Sequence, residues 1–272
     1  MQFLIGFLQG LALSIGAIAP GVSGGSLAVI FGLYGRITEA IAHVFKNFKE
    51  NLKFFFPIAL GGGIGVLIFS NLITYLFANY SVEVKYLFIG LILGTFPSLF
   101  KQANIKGFKY TYLIPFIITL IVTIFFAVLD NKTIDVAPNH NQGVLHLLIY
   151  GVIIGFGTII PGISASFILM YIGAYEFVIG SIASLDLPIL IPIGTGFVLS
   201  IILFAKLINL LFRKVYGYTN YAVLGFTIGS IIPIFPGFTI DLRHFIGLML
   251  FIIGILISSF LSGYEKREKK KA

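Results

Sequence analysis

Apolar runs of roughly 17 to 26 residues recur along this chain from end to end, and about 20 such residues cross a hydrocarbon core of about 30 Å as a helix. Ten runs are present, at about residues 3–19, 26–45, 54–79, 84–100, 110–129, 144–160, 164–182, 187–212, 218–236 and 243–262. Their solvent is lipid, because 58% hydrophobic residues against 10% charged ones leave too little polar surface to cover a water-soluble globule. Helix is the expected form: lipid satisfies no open backbone groups, and the runs lack the alternation of barrel strands. The N-terminal run lacks the basic n-region of a secretory signal and reads as mature structure.

Internal repetition decides the architecture. Gly16 to Tyr34, GAIAPGVSGGSLAVIFGLY, aligns without a gap with Gly157 to Tyr175, GTIIPGISASFILMYIGAY, pairing Pro20 with Pro161, Gly21 with Gly162 and Ser23 with Ser164. A second block, Phe56 to Phe100 against Ile191 to Phe235, pairs Pro57 with Pro192, Gly61 with Gly196, Tyr86 with Tyr221 and Gly90 with Gly225. Shared apolar composition supplies Leu and Ile matches, but not Pro, Gly and Tyr in register. The expected units are a first repeat over 1–130, a second over 131–263 and a basic tail over 264–272. Five segments per half is an odd number, so the second half enters from the opposite side, the inverted-repeat plan of many secondary transporters.

Charge fixes the orientation independently. With the N-terminus on one side, that side receives Arg36, Lys46, Lys49, Lys53, Lys101, Lys106, Lys109, Lys206, Arg213, Lys214 and five basic tail residues, and the other only Lys85, Lys132 and Arg243. A split of fifteen to three is a positive-inside signal that puts both termini in the cytoplasm. The tail itself reads first as an orientation signal, with anionic-lipid binding as the alternative.

The chemistry lies in Pro20-Gly21-Val22-Ser23-Gly24-Gly25-Ser26 and in Pro161-Gly162-Ile163-Ser164-Ala165-Ser166. Proline ends the incoming helix, glycine permits the turn, and small residues open the next helix with free backbone N–H groups. Those donors and the positive end of the helix dipole suit a phosphate or carboxylate. Serine hydroxyls add uncharged donors where a fixed cation is costly. The alternatives are a surface turn, or small residues that let helices pack closely. Two geometries fit an all-α polytopic protein: ten full crossings, or a re-entrant helical hairpin plus three transmembrane helices in each half. The second is preferred, since non-helical backbone at depth is allowed where it lines a cavity.

These paired motifs, and the Gly-x-Tyr that follows each, resemble the bacterial PopT-type polyprenyl-phosphate transporter family. The resemblance runs from Gln9 to about Gly263 and is most specific over GAIAPGVSGGSLA. It implies a translocase returning undecaprenyl phosphate, the lipid carrier of cell-wall synthesis, from the outer to the inner leaflet of the bacterial cytoplasmic membrane. Carried over, its motif falls on Pro20, Gly21, Ser23, Gly24, Gly25 and Ser26, and on Pro161, Gly162, Ser164 and Ser166. The second copy has Ala165 for Gly24 and Phe167 for Ser26, so the two tips are not expected to bind phosphate equally. The chain also resembles undecaprenyl-pyrophosphate phosphatases, whose PGxSRSG motif acts with a glutamate pair. Gly24 stands where their arginine would be and no intramembrane glutamate pair is present, so groups that stabilise a hydrolytic transition state are missing. Transport is therefore expected over hydrolysis, with a small organic-anion transporter as a further alternative.

Other polar residues carry lesser expectations. Lys206 pairs with Asn71 in the repeat and lies about two turns, or roughly 10 Å, from Arg213, so it either snorkels to the interface or steers phosphate. Arg36 closes the first hairpin arm and is a candidate to receive phosphate or to anchor the surface. Glu176 is a candidate coupling group or a helix cap. His43, His140, His146 and His244 are scattered without metal-ligand spacing and read as solvated loop residues. Tyr80, Tyr86, Tyr110, Tyr112, Tyr216 and Tyr218 fall near predicted helix ends as interfacial anchors, and Tyr34 and Tyr175 either line the cavity or join that belt. There is no cysteine and no nucleotide fingerprint. No cofactor, metal or nucleic-acid partner is expected; the partners are the bilayer and a polyprenyl phosphate lipid, and the sequence does not set the oligomeric state.

Overall fold

The computed structural model describes residues 2–20, 22, 27–28, 31, 33, 48–133, 143–159 and 165–269, and the regular structure among them is entirely helical. Helix α1 spans Gln2–Ile18, α2 Phe48–Ala103, α3 Leu113–Thr133, after a short 3-10 turn at Tyr110–Tyr112, and α4 Val144–Ile159. Short helices α5 (Ala165–Tyr171) and α6 (Tyr175–Ala183) follow, then α7 (Leu187–Lys214), α8 (Tyr216–Gly229), α9 (Ile231–Ile234) and α10 (Leu242–Lys269). Among the described residues three stretches are long and apolar enough to cross a membrane, Glu50–Ala103, Leu187–Phe204 and Leu242–Gly263, and Phe3–Ile18, Tyr110–Phe125 and Val144–Thr158 are shorter apolar helices.

The exposed face is the apolar one. Phe245, Met249, Ile252, Leu256 and Phe260 recur at helical spacing along α10 with more than half of each surface exposed. Buried between the helices are hydroxyls: Ser14, Ser70, Thr123, Ser166, Ser181, Ser200, Thr227, Ser230 and Ser258. That arrangement suits lipid outside and close, small-residue helix contacts inside.

Run 54–79 and run 84–100 are not separated by a loop. They form one helical path with a break at Tyr80 (φ −136, ψ 40). The ring centroids of Phe77 and Phe88 are 5.8 Å apart, whereas eleven residues of straight helix would part them by about 16 Å, so the chain folds back sharply there. At the matching place in the second block Val215 has φ −127 and ψ 46, between α7 and α8. Its neighbours Phe212 and Val223, which align with Phe77 and Phe88, share a hydrophobic cluster.

Packing contacts recur in the same register. A Cβ at Gly61 would overlap the Phe7 carbonyl oxygen, and one at Gly196 the Leu148 carbonyl oxygen; a Cβ at Gly90 would overlap Phe251 O, and one at Gly225 Phe116 O. In a third contact glycine and serine exchange places: Gly65 lies against Ser14, and Gly155 against Ser200. Only backbones without a Cβ approach so closely, which gives the glycine matches a packing cause.

Three expectations need correction. Run 164–182 is not a single helix: it breaks between α5 and α6, where Gly173 takes φ +69. Tyr86 and Tyr112 are buried at 3% and 7% exposure rather than interfacial, held by helix contacts with Gly247 and Gly217, whereas Tyr80, Tyr110 and Tyr218 are exposed as anchors should be. His244 is also buried, in the first turn of α10, where its backbone N–H donates to Asp241 Oδ1 (2.8 Å) and its Nδ1 lies 2.7 Å from the same oxygen.

Candidate functional site

Helix α1 ends at Ile18, one residue short of the first motif, and its last carbonyls lack intrahelical donors. The proline at position 20 has no N–H to offer the preceding turn. The second half supplies the missing donors. Ser166 Oγ donates to Ile18 O at 3.0 Å and approaches Ala17 O at 3.5 Å, and Tyr175 O–H donates to Ile18 O at 2.9 Å. One carbonyl at the break of the first half thus receives two hydroxyls from the segment that opens just after the break of the second.

The junction is buried in apolar surroundings. Pro20 and Tyr175 are almost fully buried, Ser166 is 4% exposed, and Val22 is buried in the same apolar cluster as Ile18, Val84, Phe88, Leu169, Tyr175 and Val178. The Tyr175 ring stands between Phe77 (5.7 Å, tilted) and Phe88 (5.8 Å, edge-to-face), the two rings that flank the fold-back of α2. Beside it, Tyr171 O–H donates to Thr123 O at 2.7 Å, which ties α5 to α3.

The chain runs back on itself around each motif. Gln9 Nε2 donates to Phe31 O (3.3 Å), setting residue 31 beside the middle of α1. A Cβ at Gly157 would stand 2.8 Å from Ala165 Cα, so α4 and α5 press together on either side of the second motif.

Of the expected site residues, Pro20 and Ser166 are therefore placed at the junction. Gly21, Ser23, Gly24, Gly25, Ser26, Pro161, Gly162, Ser164 and Arg36 lie outside the described residues, as do Tyr34, His43 and His140. Lys206 belongs to α7, its side chain outside the description. Glu176 is exposed in the first turn of α6, next in sequence to the buried Tyr175. Tyr175, which the sequence left open between the cavity and the interfacial belt, is a buried hydroxyl donor, and one group was not singled out from sequence: Glu83 is a buried carboxyl whose Oε2 has no hydrogen-bond partner among the described residues. Its signal was available: Glu83 is the sole acidic residue between Glu50 and Asp130.

Among the described residues the junction is an uncharged, buried place where two hydroxyls of the second half satisfy a carbonyl at the end of α1. The chain as a whole is similar to known proteins. Residues 13–244 match the VCA0040-like family, described as undecaprenyl phosphate translocase-like. A polyprenyl-phosphate transporter of Staphylococcus aureus is 30% identical over 266 residues, covering 93% of this chain and 94% of its own length. Another of that name, from Vibrio cholerae, is 30% identical over 250 residues, 87% of this chain and 79% of its own. Both are named as transporters, not enzymes. No solved structure matches the chain.

Proposed function

The chain belongs to the VCA0040-like, undecaprenyl phosphate translocase-like family, and on that premise we propose that it carries undecaprenyl phosphate from the outer to the inner leaflet of the bacterial cytoplasmic membrane. The phosphate is held between the two PG-x-S motifs by backbone N–H groups and by Ser23, Ser26 and Ser164, while the prenyl chain stays in lipid. Donors fixed at helix ends replace the water that the head group sheds, lowering a desolvation cost that would otherwise block passage.

Two inverted halves, 1–130 and 131–263, form the scaffold of this reading, with both termini cytoplasmic. The recurrence of helix contacts at Gly61 and Gly196, and of the backbone breaks at Tyr80 and Val215, supports the pairing of the halves. The length of α1 supports re-entrant hairpins: at 17 residues it extends about 25 Å before the chain leaves the helix at Ala19, short of a hydrocarbon core of about 30 Å. The return arm of the second hairpin is interrupted at Gly173, between α5 and the 9-residue α6. Rocking of the halves about the junction would open it to each leaflet in turn. Lys206 and Arg36 draw the head group toward the cytoplasmic side.

The observation that carries the proposal is the shared carbonyl of Ile18, which joins the flanks of both motifs in one buried place. Leaflet-resolved movement of undecaprenyl phosphate in proteoliposomes of the purified chain tests it. Wild type should move the lipid, and Ser23→Ala with Ser164→Ala should slow it at least tenfold without reducing membrane insertion. An unchanged rate in the double variant would remove the site, and release of inorganic phosphate from a pyrophosphate lipid would replace transport with hydrolysis.

A further inference from the structure

Two loops are fixed by aligned tyrosines, and only one of them is basic. Tyr86 O–H donates to Gly237 O at 3.0 Å, and Tyr221 O–H donates to Asn104 Oδ1 at 3.0 Å. Each ring also meets one of a second aligned pair, Tyr86 with Phe235 at 5.9 Å and Tyr221 with Phe100 at 6.5 Å. Asn104 follows the last residue of α2, whereas Tyr86 stands near the start of the same helical arm beyond the fold-back. The two loops therefore lie at opposite ends of that arm, about 25 Å apart. Both expose apolar side chains: Ile105 (71%), Phe108 and Tyr110 (83%) on one, Phe238, Ile240 (98%) and Leu242 on the other. Their charges differ. Residues 235–243 carry one acid, Asp241, and one base, Arg243, whereas residues 101–112 carry Lys101, Lys106 and Lys109 and no acid.

The turn between α7 and α8 adds two cations to the basic loop. Tyr216 O–H donates to Gln102 O at 3.0 Å, Tyr218 O–H donates to Thr111 Oγ1 at 3.0 Å, and Lys106 Nζ stands 4.9 Å from the centre of the Tyr216 ring. Arg213 and Lys214 come just ahead of Tyr216 and are exposed, as are the three lysines, and residues 211–219 hold no acid. Among the described residues none of these five bases pairs with a carboxylate. Three tyrosine hydroxyls of α8 thus brace a patch of like charges whose repulsion an arriving anion relieves. Orientation during insertion asks only that basic residues fall on one side. It does not ask that they gather on one braced surface.

The depth of the patch points to its partner. It begins where α2 ends, after a stretch long and apolar enough to cross a membrane. At that level exposed aromatic rings sit among head groups, and lysine stems lie along apolar surface with their ammonium groups toward phosphate. We infer that residues 101–112 and 211–218 form a binding surface for anionic phospholipid head groups. Ile105, Phe108 and Tyr110 enter the interface, and Lys101, Lys106, Lys109, Arg213 and Lys214 meet the phosphates. The loop at 235–243 seats itself at the other face through its apolar side chains and does not select for charge.

The chain has no tryptophan, so a single one introduced reports on a single loop. Full-length Tyr110→Trp is reconstituted in mixed vesicles of phosphatidylcholine and phosphatidylglycerol, one or the other brominated to quench the indole, and Ile240→Trp reports on the opposite loop. One basic side chain near anionic head groups favours them by about fivefold. Phosphatidylglycerol should therefore be preferred by at least about fivefold at position 110 and not preferred at position 240. Raising salt from 0.1 M to 1 M shortens the screening length from about 10 Å to about 3 Å and should weaken that preference. Lys106→Gln, Lys109→Gln and Arg213→Gln together, in the Tyr110→Trp chain, should remove most of it, with quenching by brominated phosphatidylcholine retained as the sign of an inserted protein. An equal preference at both loops, or one at position 110 that survives the three glutamines, overturns the inference. Undecaprenyl phosphate added in trace amount should leave quenching by brominated phosphatidylglycerol unchanged. Displacement at that level would assign the cations to the transported head group and overturn the inference as well.

Discussion

The Ile18 carbonyl lends itself to a double-mutant cycle, because its two donors come from side chains that can be removed one at a time. In Ser166→Ala the carbonyl keeps the Tyr175 hydroxyl at 2.9 Å, and in Tyr175→Phe it keeps the Ser166 hydroxyl at 3.0 Å. Each single change removes one buried hydrogen bond and should cost about 1 kcal/mol. Together they leave the carbonyl bare in an apolar cluster, which adds the desolvation cost of an unsatisfied acceptor, about 1 to 3 kcal/mol. The double variant should therefore lose about 3 to 5 kcal/mol, with a coupling of at least about 1 kcal/mol beyond the sum of the singles. SDS titration of the purified protein in mixed micelles measures all four corners. Additive losses within about 0.5 kcal/mol would show that the two hydroxyls do not share this acceptor and would refute the junction as the link between the motifs.

Gly61→Ala and Gly196→Ala should each destabilise the protein severely, since the new methyl meets a backbone carbonyl that has no rotamer to move, whereas Gly63→Ala, with nothing within 4 Å, should be neutral or stabilise by up to about 1 kcal/mol through helix propensity; the same titration reads both. Asp241 caps α10, and the hydrogen bonds from the His244 backbone and ring, with that of Thr239, hold its carboxyl down at about 2 from a usual 3.8. A depressed carboxyl contributes stability that is complete above pH 3.8 and is lost as pH falls toward 2, so the acid limb of a thermal-unfolding profile should flatten over that window in Asp241→Asn. Tyr171→Phe, which frees the Thr123 carbonyl from α5, should slow transport more than it lowers thermal stability if this contact positions the second hairpin, as paired transport and unfolding measurements will show.

Much of the framework was written in the sequence because its causes are periodic. Apolar runs announce lipid-facing helices, and Gly61 and Gly196, which the repeat set in register, each lie against a backbone carbonyl, of Phe7 and of Leu148. What escaped depends on three-dimensional closure. Hydropathy parted runs 54–79 and 84–100 at a polar stretch and left Glu83 between them, although the helix passes through that stretch and folds back on Phe77 and Phe88. Sequence left Tyr175 open between a cavity lining and an interfacial belt, because only the α2 fold-back encloses its ring and brings its hydroxyl onto Ile18. His244 looked like a solvated loop residue because its partner, three positions earlier, engages it only once α10 begins. Ser166 was marked by the motif as a phosphate donor, and in the structure its hydroxyl donates to the Ile18 carbonyl, a use that the motif alone does not announce.

The central claim is that two helix breaks from separate halves meet around one anion, and a chain without cysteine offers a clean background for testing it. Ser23→Cys and Ser164→Cys introduced together in native membranes should be bridged by a short bifunctional thiol reagent, with undecaprenyl phosphate slowing the reaction and a neutral prenol leaving it unchanged. Two thiols that label freely from water yet never bridge, whether or not the lipid is present, would contradict the account.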